Sequence, residues 1–439
     1  MAISQNFPNT RPSLNLNFAR SKTLDPRITF IRTQTGSEAS YVDESGIIRY
    51  ASADEPRFDH DPETGRCLGL MIEEQRTNLL TNSEEFDSWN KNNSSVTSNA
   101  TTAPDGTTTA DKLVENSSTG NKEVYQSATF TSGTSLTFSC FAKAAGRTRF
   151  RLAGTTERFD SGTNAYFDLS NGTVVTTTGG FTSASIEAYP NGWYRCVGTM
   201  LPTSSGTNNV FITLVNTGTT TGYTGDGSSG IFLWGAQLEA DKDVSSYIPT
   251  TNATVTRNAD NVWMSDISVF FNPSEGTSVI RYSPRFDTNA DSRYFALFSF
   301  RDTSTGYRIS IAGNATQMYF PSYGTSGLMD YYTYTGPSFT RNNLETHVVS
   351  YGSTYFRLYL NDQQPWHSLH PSYGVGKIEE LIPHKSPSTG ITTSNFTTLS
   401  FGYSQANTSN SKLNCNIESF VYYPSEVGVE NIKTFTRDQ

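Results

Sequence analysis

Strict alternation of apolar and polar positions runs through much of the chain, and helical periodicity is nearly absent. In SLTFSCFAKA, Leu136, Phe138, Cys140 and Ala142 fall on one face, opposite Thr137, Ser139, Phe141 and Lys143. In NVFITLV, Val210, Ile212 and Leu214 alternate with Phe211, Thr213 and Val215. FRLYLNDQQ repeats the pattern, with Phe356, Leu358 and Leu360 against Arg357 and Tyr359, and TTLSFGYS and NCNIESFVYY read as further strands. A two-residue period puts every second side chain on one face of a sheet, so these runs predict strands with a buried side. Asn171-Gly172, Asn191-Gly192 and Asp226-Gly227 separate runs at hairpin spacing, and Asn361-Asp362 is placed to turn another. One short helix is predicted, over SEVGVENIKTF with Ser425 as its N-cap.

The expected fold is all-β: tandem antiparallel β-sandwiches (jelly rolls) preceded by an irregular N-terminal region that anchors the chain. Residues 1–80 are polar and punctuated by proline, with short extended runs at Arg27–Arg32 and Gly46–Tyr50, residues 81–260 form a first sandwich, and residues 261–439 form a second. Composition agrees. Charged residues are 17% of the 439, below the roughly 25% usual for soluble proteins, and aromatics reach 13%. Serine, threonine, asparagine and glycine fill the difference, which suits short strands joined by polar turns. A net charge of −9 gives no reason to expect nucleic acid as a partner. No window approaches the roughly 18 apolar residues of a membrane span, and the first residues lack the basic and apolar stretches of a secretory signal.

Candidate chemistry is sparse. With five histidines and scattered carboxylates, no catalytic triad order, nucleophile elbow or paired-carboxylate groove stands out, so no catalytic residue is assigned and no enzyme is expected. No cofactor is expected beyond a structural Ca²⁺, for which Asp287, Asn289 and Asp291 supply oxygens at alternate positions. Ser292 and Phe298 stand where an EF-hand loop needs glycine and glutamate, so the loop is not of that kind. His367 and His370 lie three apart without a third ligand in register. Rings that stack on sugars would come from Tyr323, Tyr331, Tyr332 and Tyr334, and from Trp366 and Tyr373. Trp193 and Trp234 sit inside strand runs and read as core. Cys140 and Cys196 lie in strands of one segment, as neighbouring thiols or a disulfide pair.

Two stretches carry a resemblance. Leu24-Asp25-Pro26-Arg27, Glu55-Pro56-Arg57-Phe58-Asp59, Gly69-Leu70 leading into Ile72-Glu73, and Arg76-Thr77-Asn78-Leu79-Leu80 punctuate residues 16–86. Downstream, LWGAQLEADKDVSSYIPTTNATVTRNADN carries Gly235-Ala236-Gln237-Leu238-Glu239. Together they resemble a module of tailed-bacteriophage head spike, head fibre and tail fibre proteins, in which the second stretch closes a carbohydrate-binding-module-like jelly roll. The last 180 residues are similar to concanavalin A-like, laminin-G-type sandwiches through Arg357–Asn361, Leu399–Tyr403 and Ile417–Tyr423. The usual glycine before that last strand is replaced by Asn414-Cys415-Asn416. The resemblance implies a virion surface protein, anchored through residues 1–80 to capsid, neck or tail proteins. It also implies host surface glycan as a ligand and homo-oligomers, trimers among them. A glycan-cleaving tailspike and a non-viral carbohydrate-binding adhesin are the alternatives.

Overall fold

A computed structural model describes residues 11–33, 39–159, 162–285, 342–352, 396–402 and 413–427. It also describes the strands Phe295–Arg301, Arg308–Asn314, Gln317–Tyr319, Ser322–Gly324, Gly327–Asp330, Thr333–Thr335 and Phe356–Leu360. The expected fold class holds: antiparallel strands dominate, and the one α-helix among the described residues is the single turn Phe18–Ser21. Most of the predicted helix after Ser425 lies outside the described residues.

One sandwich lies within residues 81–250. Its first sheet orders the strands Phe181–Tyr189, Trp193–Met200, Leu136–Ala145, Gly230–Glu239, Ala110–Glu115 and Ser94–Thr101. Its second orders Thr173–Thr178, Thr163–Asp168, Arg149–Gly154, Gly206–Val215, Glu123–Phe130 and Asn90–Asn92. The alternating positions close the core between them. Leu136, Phe138, Cys140 and Ala142 meet Val210, Ile212 and Leu214 there, with Phe150 stacked on Phe167. The face opposite Cys140 is not wet. The hairpin Ala39–Val42/Ile48–Ala51 lies over it, and Val42 and Ile48 pack with Phe141, Tyr189, Trp193, Trp234 and Tyr247 in a second apolar layer. That coverage explains why Phe141 occupies a nominally polar position, and it buries both tryptophans to 2% exposure or less. Cys140 and Cys196 stand directly opposite in neighbouring strands, both fully buried, and all four cysteines are free thiols.

The second sandwich is assembled from both ends of the chain. Residues 11–80, expected to be irregular apart from extended runs at Arg27–Arg32 and Gly46–Tyr50, carry seven short strands among the described residues, two of them at those runs. The strand Cys415–Tyr423 pairs along one edge with Gly276–Pro284. Its other edge is shared, Ser419–Tyr422 pairing with Leu14–Asn17 and Cys415–Ile417 with Leu70–Ile72. In the facing sheet, Ile28–Ile31 pairs with Asn261–Ser265, which continues to Thr398–Phe401 and Phe295–Arg301. Leu14, Leu16, Phe18, Ile28, Phe30, Leu70 and Ile72 thereby enter one core with Ile280, Phe300, Phe401, Phe420 and Tyr422. Gly69 is required at this seam. Its φ of +101° is a backbone shape that side chains rarely adopt, and a Cβ would come within 2.0 Å of the Ile417 carbonyl oxygen. The first sandwich is thus an insertion, entered through Arg76–Asn78 and left through Val255–Arg257, which pair with each other antiparallel.

Candidate functional site: a buried charge junction between the sandwiches

The motif residues converge where the insertion meets the second sandwich. Arg57, leading the strand Arg57–His60, donates to Glu73 Oε2 at 2.7 Å and to Asp260 Oδ2 at 2.6 Å. Arg32 donates to Asp260 Oδ1 at 2.9 Å and to the Ser52 and Glu55 carbonyls. Arg257 pairs with Glu73 and donates to the Glu74 carbonyl at 2.6 Å. The side chains of Arg32, Arg57, Glu73, Arg257 and Asp260 have no solvent exposure. Ser246, from the end of the insertion, donates to Glu73 through both its amide (2.8 Å) and its hydroxyl (2.7 Å). On the flank, Arg285 donates to Asp59 at 2.7 Å, and Arg76 joins Glu74 and Asp241.

Charge that is desolvated this completely survives only when each group is paired and hydrogen-bonded. Burial alone would raise the Glu73 carboxyl, but the guanidiniums of Arg257, Arg57 and Arg285 outweigh it and hold the group well below its ordinary range. For Arg57, burial is likewise outweighed by the carboxylates of Asp260 and Glu73, and its pKa is raised. The balance tips the other way at Asp59, where burial exceeds the pull of Arg285 and the carboxyl titrates higher than usual.

Asn78, Gln237 and Glu239, also from the motifs, tie backbone segments together at the root of the insertion, whereas Asp25 and Arg27 pair with each other at the surface. Asn78 donates to the Ala236 and Ile248 carbonyls and accepts from the amides of Leu80 and Leu238. Gln237 accepts from the Ile248 amide at 2.6 Å, and Glu239 accepts from Ser245 at its amide and its hydroxyl. Gly235, with φ +60°, sits where the pairing of Leu136–Ala145 with Gly230–Glu239 shifts register, and a Cβ there would press on Phe141 and Tyr247. These arrangements brace the last turn of the insertion, and Ser246 and Asp241 then join it to Glu73 and Arg76 of the second sandwich.

A half-buried acid lies beside the aromatic layer. Glu84 accepts from the Tyr247 hydroxyl at 2.9 Å, and its carboxyl is pushed up to about 7, chiefly by burial against that hydrogen bond. An acid whose pKa is raised by folding holds a proton that the unfolded chain releases between its ordinary 4.5 and about 7. Stability therefore falls as pH rises through that window and levels off above it. Glu84→Gln is expected to add about 1–3 kcal/mol at pH 8 and nothing at pH 4, read from urea unfolding at both values. Equal effects at the two pH values would show that folding does not raise the Glu84 carboxyl above its ordinary value.

Two of the sequence-predicted ligand residues fall on described strands. Tyr323 falls in Ser322–Gly324, paired to Arg308–Asn314, and Tyr334 falls in Thr333–Thr335, paired to Gln317–Tyr319. Tyr331, Tyr332, Trp366 and Tyr373, the calcium candidates Asp287, Asn289 and Asp291, and the pair His367 and His370 lie outside the described residues. Among the described residues no three His, Cys, Asp or Glu side chains group as metal ligands, and no helix is long and apolar enough to cross a membrane. Sequence reasoning found the motif residues but not their mutual contacts, since Arg57 and Asp260 are 203 positions apart.

No family model matches the chain, and no curated protein matches it. One solved structure that it resembles is a Trypanosoma rangeli sialidase in complex with 2,3-difluorosialic acid, a covalent intermediate. The match has 9% identity and a TM-score of 0.29, and it covers 79% of this chain. The chain spans 62% of that sialidase chain, and a superposition this loose carries no argument about activity.

Proposed function

We propose that the chain is a surface appendage of a tailed-phage particle, a head spike or fibre or a tail fibre, that acts by binding and not by cleaving bonds. The observation that supports this most is where the resemblance motifs lie. Arg57, Glu73, Arg76 and Arg257 are spent on the junction that ties one sandwich to the other, through Ser246, Asp241 and Asp260. A projecting protein needs such a lock, because it must hold its outer domain at a fixed angle while under load. In this reading the particle contact belongs to residues 1–80. Residues 11–80 now offer a folded surface on the second sandwich and not a loose arm. Host-surface glycan is the proposed ligand of the outward face, with the tyrosine-bearing segment 319–334 as its first candidate. A structural Ca²⁺ held by Asp287, Asn289 and Asp291, and assembly as a homo-oligomer, belong to the same proposal.

The test is incubation of the purified full chain with envelope polysaccharide of the host, following retention and released reducing ends together. The expected outcome is retention without new reducing ends. Release of reducing ends at a steady rate would replace the appendage reading with that of a glycan-cleaving tailspike.

A further inference from the structure

One lateral edge of the inserted sandwich has the form of a pairing surface. The strand Thr173–Thr178 reads TVVTTT, six β-branched residues in succession, and it ends its sheet with Thr163–Asp168 as its only partner strand there. Its outer row of backbone donors and acceptors therefore faces away from the sheet. Such an edge is usually blunted by lysine, proline, an inward charge or a bulge, because an open edge recruits another strand, and of these devices this strand has only the bulge at Val175. Here no charged residue occurs anywhere from Leu169 to Ile186, a stretch that also includes the first half of the neighbouring edge strand Phe181–Tyr189. Thr173, Val175, Thr176 and Thr178 are exposed. Val175 is skipped in the pairing with Thr163–Asp168 and stands outward, 38% exposed. The opposite edge is guarded: Asn90–Asn92 carries Lys91, and Ser94–Thr101 is kinked by a left-handed Asn99 at φ 53° and a register shift.

We infer that Thr173–Thr178 pairs antiparallel with the same strand of a second copy, joining two sandwiches edge to edge. Charge decides between occupants. A chain of net charge −9 repels its own copies over most of its surface, and this neutral edge is where two copies meet with least repulsion. A strongly charged partner strand would find nothing on it to pair with. Antiparallel self-pairing sets threonine and valine opposite threonine and valine, which are favourable cross-strand neighbours, and a two-fold axis satisfies both outer edges at once. Such an isologous contact closes as a dimer. The trimer suggested by the phage resemblance would need a head-to-tail contact instead. The inference stands independently of the virion reading.

The test uses the full chain in three forms: wild type, Val175→Lys/Thr176→Lys, and Thr97→Lys on the opposite edge as a control. All three substituted side chains are exposed, so the fold should tolerate them. Light scattering after size exclusion should give twice the chain mass for the wild type and the control, and one chain mass for the double variant. Hydrogen exchange on the wild type supplies a second readout: the amides of Thr173–Thr178 should lose protection as the protein is diluted. A double variant that keeps the wild-type mass would overturn the inference. So would a wild type that is monomeric at every concentration, which would leave the edge to a strand of another protein.

Discussion

Glu73→Ala is expected to cost about 3–5 kcal/mol of folding stability, among the largest losses any single substitution in this chain should cause. The carboxylate is fully buried and contacts Arg57 and Arg257, with Arg285 3.8 Å away. Its removal leaves Arg257 without its carboxylate and Arg57 with Asp260 alone, in a place where water cannot reach them. It also strands the Ser246 amide and hydroxyl, which both donate to it. Glu73→Gln keeps the shape and should recover only a minor part of the loss, since the amide offers one oxygen in place of two and no charge. Urea unfolding of the three proteins at pH 7 measures this. Because the network is closed to solvent, the difference should persist in high salt, unlike that of a surface ion pair. A loss below about 1 kcal/mol for Glu73→Ala, in the range of exposed pairs, would contradict the closed junction.

The second large effect concerns the N-terminal segment. Deletion of residues 1–80 is expected to prevent the second sandwich from folding, although its other strands all remain. The deletion takes Leu14, Leu16, Phe18, Ile28, Phe30, Leu70 and Ile72 out of the shared core, each at most 8% exposed. At about 1.5–3 kcal/mol per buried side chain, their transfer alone amounts to roughly 10 kcal/mol or more, comparable with the whole stability of a typical domain. It also opens the free edge of Cys415–Tyr423 and removes Arg32, Arg57 and Glu73 from the junction. The inserted sandwich retains its central core, so the truncated chain should show one cooperative transition where the full chain shows the whole. Limited proteolysis should leave a protected fragment within residues 81–250. A truncated chain that protects residues 261–427 as well would mean that the N-terminal strands are accessory.

The strands that were legible from sequence are those whose apolar alternation matches the buried face. Leu136–Lys143 and Val210–Val215 follow this rule, while in Cys415–Tyr423 the core positions change parity between Ile417 and Phe420. Of the N-terminal strands, Ile28–Ile31 and Ile48–Ala51 match the extended runs read at Arg27–Arg32 and Gly46–Tyr50, and the others escaped for a physical reason. They run three to six residues, and in Arg57–His60 the pattern is inverted: Arg57 and Asp59 point inward to the charge junction while Phe58 is only partly covered. A period-two reading rewards apolar residues inside and so scores this strand backwards. The junction was visible as motifs but not as a network, because spacing along the chain says nothing about Arg32 meeting Asp260 across 228 positions. The aromatic layer under the hairpin Ala39–Val42/Ile48–Ala51 was half legible. Trp193 and Trp234 read correctly as core, while the element that covers them lay in the segment read as irregular.

The appendage reading is tested most directly by cryo-electron microscopy of intact particles of the phage that encodes the chain, searching for two linked β-sandwiches. The account predicts such density projecting from the capsid, neck or tail, with the second sandwich and its N-terminal strands proximal and the inserted sandwich distal. Particles shown by mass spectrometry to lack the chain altogether would contradict it.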